Sequence, residues 1–95
     1  MSEVNFSDRA ESDLVEIWTF IARDDPATAD RLIEQIQQTC QMFAKNRRAG
    51  RRRPKLHPVI RSFAVNPHVI FYRLSDGGIE VVRVLRGRRD IRDLG

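Results

Sequence analysis

Residues 69–85 read VIFYRLSDGGIEVVRVL, and this stretch decides the fold class. Its two runs are rich in β-branched and aromatic residues, a composition typical of strands. Asp76-Gly77-Gly78 separates the runs, and a gap of this length is typical of a tight hairpin. With the turn centred on Gly77, the opposing pairs are Ile70 with Val84, Tyr72 with Val82 and Leu74 with Glu80. The stretch therefore predicts an antiparallel hairpin with one mainly apolar face.

The segments upstream of this hairpin predict further strands. Ile60–Val65 is a strand-like run that Asn66-Pro67 separates from Val69–Leu74, and Ile79–Leu85 is the third run. Both gaps have hairpin length, so the three runs should form an antiparallel meander. Val4-Asn5-Phe6 predicts a short extended start ahead of the helices.

Two helical stripes occupy the N-terminal half. Ser7 is a good N-cap residue, and apolar residues then recur at helical spacing as far as Ile21. Asp25-Pro26 begins a second helix, because aspartate caps well and proline suits the first turn, and this stripe runs to about Lys45. The side chains that we expect to be largely buried are Trp18, Ile36, Phe43 and Tyr72. We therefore predict an α+β fold over residues 1–95, a single domain with an N-terminal antiparallel helical hairpin packed on a small antiparallel β-sheet in the order β-α-α-β-β-β.

The composition is that of a globular chain. Of the 95 residues, 41% are apolar and 32% are charged, which excludes a disordered or membrane-spanning chain. The start lacks a basic leader followed by an apolar stretch, and Cys40 is the single cysteine, so no internal disulfide is expected. No apolar run reaches the roughly 20 residues that a bilayer span needs. We therefore expect a cytoplasmic protein without a membrane partner.

Charge is divided unequally between the two halves of the chain. Residues 1–46 sum to −5 and residues 47–95 sum to +9, and 15 of the 17 cationic residues are arginine. Basic residues crowd the predicted loop from Asn46 to Pro58 in particular. Because arginine presents a planar fork that suits carboxylates and phosphates, the basic half indicates a nucleic acid or an acidic protein segment as partner. The alternative is a solvated basic surface.

The second face of the predicted hairpin combines apolar and arginine residues. Its members are Val69, Phe71, Arg73, Val81, Arg83 and Leu85. A face open to water is usually more polar than this, so two interpretations remain with equal weight. Either a partner covers the face, or the basic loop or the C-terminal tail of the same chain covers it.

No metal site, cofactor site or catalytic residue is predicted. His57 and His68 are isolated and Cys40 falls on a helical stripe, whereas zinc needs about four suitably spaced ligands. Clustered arginines could stabilise the transition state of RNA cleavage, but arginine stays protonated and is a poor acid or base. The nearby proton-transfer candidates are His68 and Tyr72, and Tyr72 falls on the predicted core face. The residues alone therefore favour binding over catalysis.

Several motifs, in order along the chain, resemble one known family. They are Ala10-x-x-Asp13-Leu14-x-x-Ile17-Trp18 in the first helix, Asp25-Pro26-x-x-Ala29 at the start of the second, Gly50-x-x-Arg53, Ile60-Arg61-Ser62-Phe63, Val69-Ile70-Phe71-Tyr72-Arg73, and Val82-Arg83-Val84-Leu85-x-Gly87-Arg88-Arg89-Asp90. The combination covers nearly the whole chain and is similar to the ParE branch of the RelE/ParE superfamily, the toxins of bacterial type II toxin–antitoxin pairs. Arg86 departs from the pattern, because ParE-like sequences often carry histidine there.

The resemblance implies a fold, an antitoxin partner and a target. The fold is a helical hairpin on an antiparallel sheet, and a ParD-like antitoxin wraps the toxin with its C-terminal segment. The toxin–antitoxin complex is then a hetero-oligomer that binds operator DNA through the antitoxin. The best-known target of the ParE branch is DNA gyrase, whose poisoning blocks replication. The alternatives are a ribosome-dependent messenger RNA endonuclease of the RelE type and a degenerate toxin that retains only antitoxin binding.

The catalytic positions of the ribonuclease branch are half retained in this sequence. Arg61 matches the first basic strand position and Arg89 matches the tail arginine, but Phe63 and Val69 replace two other basic residues. Gly95 stands where the tail of that branch carries a proton-handling side chain. The resemblance therefore implies a non-enzymatic toxin.

Two sets of binding residues are predicted from the sheet pattern, the charge and the resemblance. The residues expected to bind the antitoxin are Phe71, Arg73, Val81, Arg83 and Leu85. The residues expected to contact the target are Arg61, Arg86, Arg88, Arg89 and Arg92.

Overall fold

Seven elements follow one another in the computed structural model, which describes residues 2–87. They are β1 (Glu3–Phe6), α1 (Asp8–Ala22), α2 (Pro26–Lys45), β2 (Arg51–Arg52), β3 (Arg61–Val65), β4 (His68–Ser75) and β5 (Gly78–Arg86). The strands form one five-stranded sheet in the order β1-β5-β4-β3-β2, and the two helices pack on it. The predicted α+β class, the helical hairpin and the antiparallel meander of β3, β4 and β5 are confirmed.

Both helices begin at the residues that the sequence predicts. The Ser7 hydroxyl accepts a hydrogen bond from the Ala10 N–H at 3.1 Å and donates one to the Val82 carbonyl at 3.0 Å, so one side chain caps α1 and attaches it to β5. Asp25 caps α2 by accepting from the backbone N–H groups of Ala27 and Thr28. Hydrogen bonds from the side chain and backbone of Thr28 lower the pKa of Asp25. The ionised cap therefore persists to a lower pH than an ordinary aspartate would allow.

The first strand joins the sheet in an orientation that the sequence does not predict. β1 runs parallel to β5, with Glu3 aligned to Gly78, so the sheet is mixed rather than wholly antiparallel. A side chain at Gly78 would collide with the backbone of Glu3, and glycine therefore permits the close approach of the two strands. At the opposite edge, the short strand β2 arises within the stretch that the sequence indicates as a basic loop, Asn46 to Pro58.

A β-bulge changes the predicted register of the β4–β5 hairpin. The observed pairs are Ile70 with Val84, Tyr72 with Val81 and Leu74 with Ile79, with the register shift between Phe71 and Tyr72. The predicted pairing of Tyr72 with Val82 and of Leu74 with Glu80 is therefore wrong. Because a bulge inserts one extra residue into a strand, the side chains beyond it exchange faces. Val81 consequently lies fully buried in the core, and its predicted position on the second face is corrected.

The core lies between the helices and the inner face of the sheet. Ile36 and Tyr72 are fully buried, as predicted, and Phe43 packs half-buried at the margin of the core. The rings of Phe43 and Phe63 have centroids 4.1 Å apart, and Phe63 meets Tyr72 edge-on at 5.7 Å. This aromatic cluster joins α2 to β3 and β4, the strands that contribute Arg61 and Arg73.

The outer surface of α1 is more apolar than the helical stripe indicates. Trp18 is 39% exposed, so its predicted burial is wrong, and its indole N–H donates to Asp30 of α2 at 2.8 Å. Val15 and Phe20 are more exposed still, at 64% and 62%. Within residues 2–87, neither helix combines the length and the apolar character that a bilayer span requires.

The thiol of Cys40 is fully buried on the core side of α2. Burial raises its pKa to about 12, so the reactive thiolate is almost absent at neutral pH. We expect the folded chain to resist alkylation by iodoacetamide at mildly alkaline pH, and the chain unfolded in guanidinium chloride to take up a single equivalent. Equal labelling rates in the two conditions, measured by mass spectrometry, would contradict the burial of this side chain.

Candidate functional site

The segment between α2 and β2 is fastened to the sheet by Tyr72. The tyrosine hydroxyl accepts a hydrogen bond from the Gly50 N–H at 2.9 Å and donates one to the Arg47 carbonyl at 2.8 Å. A side chain at Gly50 would collide with the tyrosine ring, so glycine permits this contact. Burial raises the pKa of Tyr72, which keeps the hydroxyl protonated and able to donate. Tyr72 is thus a buried anchor for this stretch, residues 46–50, which we call the basic segment.

Arg61 holds the same segment from the neighbouring strand. Its Nη1 donates to the carbonyl oxygens of Arg48 at 2.9 Å and Gly50 at 3.1 Å. Arg47 adds a bond from its Nη1 to the carbonyl of Ser75 at 2.9 Å. Arg61, which the sequence predicts as a target contact, therefore also has a local role in positioning its neighbours.

An open cleft of about 460 Å³ lies beside this fastened segment. We call it the arginine cleft, and it is lined by Arg48, Arg52, Pro58, Val59, Arg61, Arg73 and Leu74. Arg48, Arg52 and Arg73 are exposed, and Arg61 is half-buried. Arg73 pairs with Glu80, its Nε 2.7 Å from Oε1, but an exposed pair of this kind contributes under about 1 kcal/mol and leaves the cation accessible. The cleft is therefore a concentrated positive surface.

Arg83 is placed differently from Arg73, although the sequence pattern groups the two. Its Nε and Nη2 donate to the two carboxylate oxygens of Asp13 at 2.9 and 3.2 Å. The same carboxylate accepts from the Val84 N–H at 2.9 Å, at the stretch of the β5 edge beyond the end of β1. Both side chains of this ion pair are largely buried. Arg83 therefore attaches β5 to α1, and it is a poorly accessible member of the predicted antitoxin-binding set.

The apolar members of that set are buried in the described chain. Phe71 is fully buried beneath Arg53, whose guanidinium carbon lies 5.9 Å from the ring centroid, within the range of a cation–π contact. Arg53 also donates from Nε to the Ser62 hydroxyl at 2.8 Å, and burial lowers its pKa, with a smaller contribution from Arg51. Val81 lies in the core and Leu85 is buried. Arg53 belongs to the predicted basic loop from Asn46 to Pro58, so its position over Phe71 matches the second of the two interpretations of this face.

The predicted target-binding residues separate in the structure. Arg61 lines the arginine cleft, whereas Arg86 is exposed at the end of β5, beside a different depression. Arg88, Arg89 and Arg92 lie outside the described residues. Arg73 is the accessible arginine of the predicted antitoxin-binding set, and its role stays a prediction.

That second depression is an apolar groove along α1 that the sequence did not predict. We call it the α1 groove; its volume is about 450 Å³, and it is lined by Glu16, Ile17, Phe20, Ile21, Pro67, His68 and Arg86. The available signal was Phe20, a large apolar residue lying off the main stripe of the helix. Residues 2–87 contain no group of three or more His, Cys, Asp and Glu side chains placed to hold a metal ion.

Comparison with known proteins identifies the family to which this fold and these surfaces belong. Residues 4–91 match the family described as the ParE toxin of type II toxin–antitoxin system, parDE. Toxin ParE1 of Mycobacterium tuberculosis is 33% identical over 87 residues, covering 90% of this chain and 89% of the relative. Toxin ParE1 of Caulobacter vibrioides is 33% identical over 86 residues, covering 90% and 88%.

A solved structure supports the same assignment at the level of the fold. A chain of the structure titled "Chromosomal ParDE TA system from P. aeruginosa" is similar, with a TM-score of 0.73 and 22% identity, covering 93% of this chain and 98% of that chain. Its fold likeness agrees with the family match over nearly the full length of the described residues. The chain therefore belongs to the ParE toxin family of type II toxin–antitoxin systems.

Proposed function

We propose that this chain inhibits DNA gyrase and thereby replication, that it acts by binding rather than by catalysis, and that a ParD-like antitoxin neutralises it. The observation that carries the target half of the proposal is the composition of the arginine cleft. Its seven lining residues include four arginines and no carboxylate, histidine or tyrosine. Such a surface attracts an anionic partner but offers no group that moves a proton. Action on gyrase would place the protein in the cytoplasm.

The positions compared with the ribonuclease branch support binding over cleavage. Arg61, the retained basic strand residue, donates to carbonyl oxygens of its own chain. Phe63, at the second position, packs in the aromatic cluster instead of facing a substrate. The Tyr72 hydroxyl is engaged by Gly50 and Arg47. These three side chains are engaged in contacts within the chain, so they are poorly placed to bind RNA or to transfer a proton in metal-independent cleavage.

The antitoxin half of the proposal rests on family membership and on the α1 groove. An antitoxin segment must cover apolar surface to bind stably, and in this groove the exposed Phe20, together with Ile17 and Ile21, provides it. Arg86 at the rim of the groove suits an acidic residue on the segment. The resulting complex would be a hetero-oligomer that binds operator DNA through the antitoxin.

Replacing Phe20 by alanine should weaken antitoxin binding at least about tenfold. A large aromatic side chain exposed beside an apolar groove is the type of residue that dominates interface energies, commonly by about 2 kcal/mol or more. Isothermal titration of the purified antitoxin into each variant measures the effect. Thr19→Ala is the matched control, because Thr19 is the exposed neighbour on the same helix and lies outside the groove lining. Equal affinities of the two variants would remove the α1 groove from the interface.

Induction of the chain alone in bacteria tests the target. Plasmid supercoiling and the rate of protein synthesis are followed from the same culture after induction. We expect supercoiling to fall and cells to form filaments while protein synthesis continues at first. Immediate arrest of translation with cut transcripts would favour the ribonuclease alternative, and growth without either effect would favour a degenerate toxin.

A further inference from the structure

The middle of the chain is basic without any balancing acid. From Gln35 to Ser75 the sequence contains nine lysine and arginine residues and no aspartate or glutamate. Eight of the nine fall between Lys45 and Arg61. No carboxylate within this stretch can therefore pair with its cations, and among residues 2–87 the one ion pair that reaches an acid outside it joins Arg73 to Glu80. The surface therefore has a positive potential that attracts an anionic partner.

The arginine cleft is the place where this charge converges. In the part of the chain that the structure describes, Arg48 and Arg52 form no ion pair, and Arg73 has only its exposed pair with Glu80. Arg61 uses one guanidinium nitrogen on the carbonyl oxygens of Arg48 and Gly50. The cleft thus holds four cations of which none is neutralised by burial in an ion pair.

The backbone that presents these side chains is held in place before any ligand arrives. Tyr72 fixes Gly50 and Arg47 by hydrogen bonds from beneath, and Arg61 fixes Arg48 and Gly50 from the side. Binding then costs less ordering free energy, because the segment does not have to fold around the ligand. These hydrogen bonds to the backbone distinguish the cleft from arginines scattered over a surface.

We propose that the arginine cleft is a binding site for the phosphate backbone of duplex DNA. Guanidinium groups match phosphate oxygens in a paired, charge-assisted geometry. Among residues 2–87, the lining of the cleft includes no aromatic side chain on which unpaired bases could stack, which favours a duplex over a single strand. The arginines are proposed to contact phosphate oxygens, which carry no sequence information, so binding is expected to depend little on sequence.

An acidic peptide fits this cleft less well than a phosphate backbone does. An amphipathic peptide buries apolar side chains, and the larger apolar surface lies in the α1 groove. The apolar residues of the arginine cleft are Pro58, Val59 and Leu74, which form its walls among four cations. The DNA contact does not depend on gyrase as the target.

The test is fluorescence anisotropy of a labelled DNA duplex, titrated with the full chain over a range of salt concentrations. Wild type is compared with the double variant Arg48→Gln/Arg52→Gln and with the control double variant Arg9→Gln/Arg23→Gln. The control removes the same charge from exposed arginines of α1 and its C-cap, which form no ion pair among residues 2–87. Wild type should bind with a dissociation constant of about 1–100 μM near physiological salt, the range of non-specific DNA binding.

We expect the cleft variant to lose at least about tenfold in affinity at low salt and the control to change less than about twofold. The slope of log K against log salt should flatten by about two in the cleft variant, because roughly one counterion is released for each phosphate contact. Arg52→Gln alone should flatten it by about one, which keeps the test decisive if the double variant folds poorly.

Three results would overturn the proposal. Equal losses in the cleft and control variants would show that affinity follows net charge alone. Unchanged binding of the cleft variant would place the DNA contact elsewhere. Displacement of the duplex by poly-glutamate at the same charge concentration, with the same dependence on Arg48 and Arg52, would assign the cleft to acidic protein segments. The assay contains no gyrase, so failure of the gyrase proposal would leave its result standing.

Discussion

Replacing Asp13 by alanine is expected to lower the free energy of unfolding by about 3 kcal/mol, a large share of the stability of so small a domain. The Asp13 carboxylate accepts two hydrogen bonds from Arg83 and one from the Val84 N–H, and it is nearly buried. Alanine removes all three bonds at once and leaves the edge of β5 without its attachment to α1. A buried donor that loses its charged acceptor lowers the free energy of unfolding by more than an average hydrogen bond adds to it.

Urea unfolding followed by circular dichroism measures this effect. Asp13→Asn should lie between wild type and alanine, because its amide oxygen still accepts from the Val84 N–H while the charge is lost. Glu16→Ala is the matched control on the same helix: its side chain is exposed, and the change should stay within about 0.5 kcal/mol of wild type. A loss under about 1 kcal/mol for Asp13→Ala would mean that the ion pair contributes little to folding.

Phe43→Ala is expected to cost about 3 kcal/mol, since it removes a ring from the aromatic cluster and leaves a cavity between α2 and the sheet. The Phe43 ring contacts Phe63 at a centroid distance of 4.1 Å and Tyr72 at 6.1 Å. Aromatic pairs of this geometry contribute roughly 0.5–1.5 kcal/mol beyond the burial of their area. Because Tyr72 also anchors the basic segment, the loss of the Phe43 ring should also make the backbone beside the arginine cleft less well ordered.

The melting temperature of Phe43→Ala should fall by roughly 12–24 °C, given the 4–8 °C per kcal/mol typical of a domain of this size. Met42→Ala is the control, because Met42 is the preceding residue of α2 and is 63% exposed. Its melting temperature should stay within a few degrees of wild type. Similar melting temperatures for the two variants would show that Phe43 does not contribute to the core.

Local signals predict most of the fold, and contacts between distant residues account for the rest. Ser7 and Asp25 cap the helices because their side chains bond N–H groups two or three residues away, which a sequence pattern can show. The parallel pairing of β1 with β5 joins Glu3 to Gly78, and no local pattern contains it. The bulge near Tyr72 is equally hidden, because residues 81 and 82 of β5 are both valine and either one could face the core opposite Tyr72.

The candidate site shows the same division. The excess of arginine in the second half predicts a basic surface, and the structure gathers four of these arginines around one cleft. The sequence could not separate Arg73 from Arg83, because the partner of Arg83 is Asp13, 70 residues away. The exposure of Phe20 was missed for a similar reason. A helical stripe indicates which side of α1 faces the sheet, but not that the sheet leaves an open groove beside it.

DNA gyrase activity on relaxed plasmid, measured with and without the purified chain, tests the central proposal most directly. We predict that increasing amounts of the chain reduce supercoiling and that purified antitoxin restores it. The cleft variant Arg48→Gln/Arg52→Gln should inhibit less than the control variant Arg9→Gln/Arg23→Gln if the cleft contributes to the inhibitory complex. Full gyrase activity at concentrations of the chain that stop protein synthesis in a translation reaction would contradict gyrase as the target.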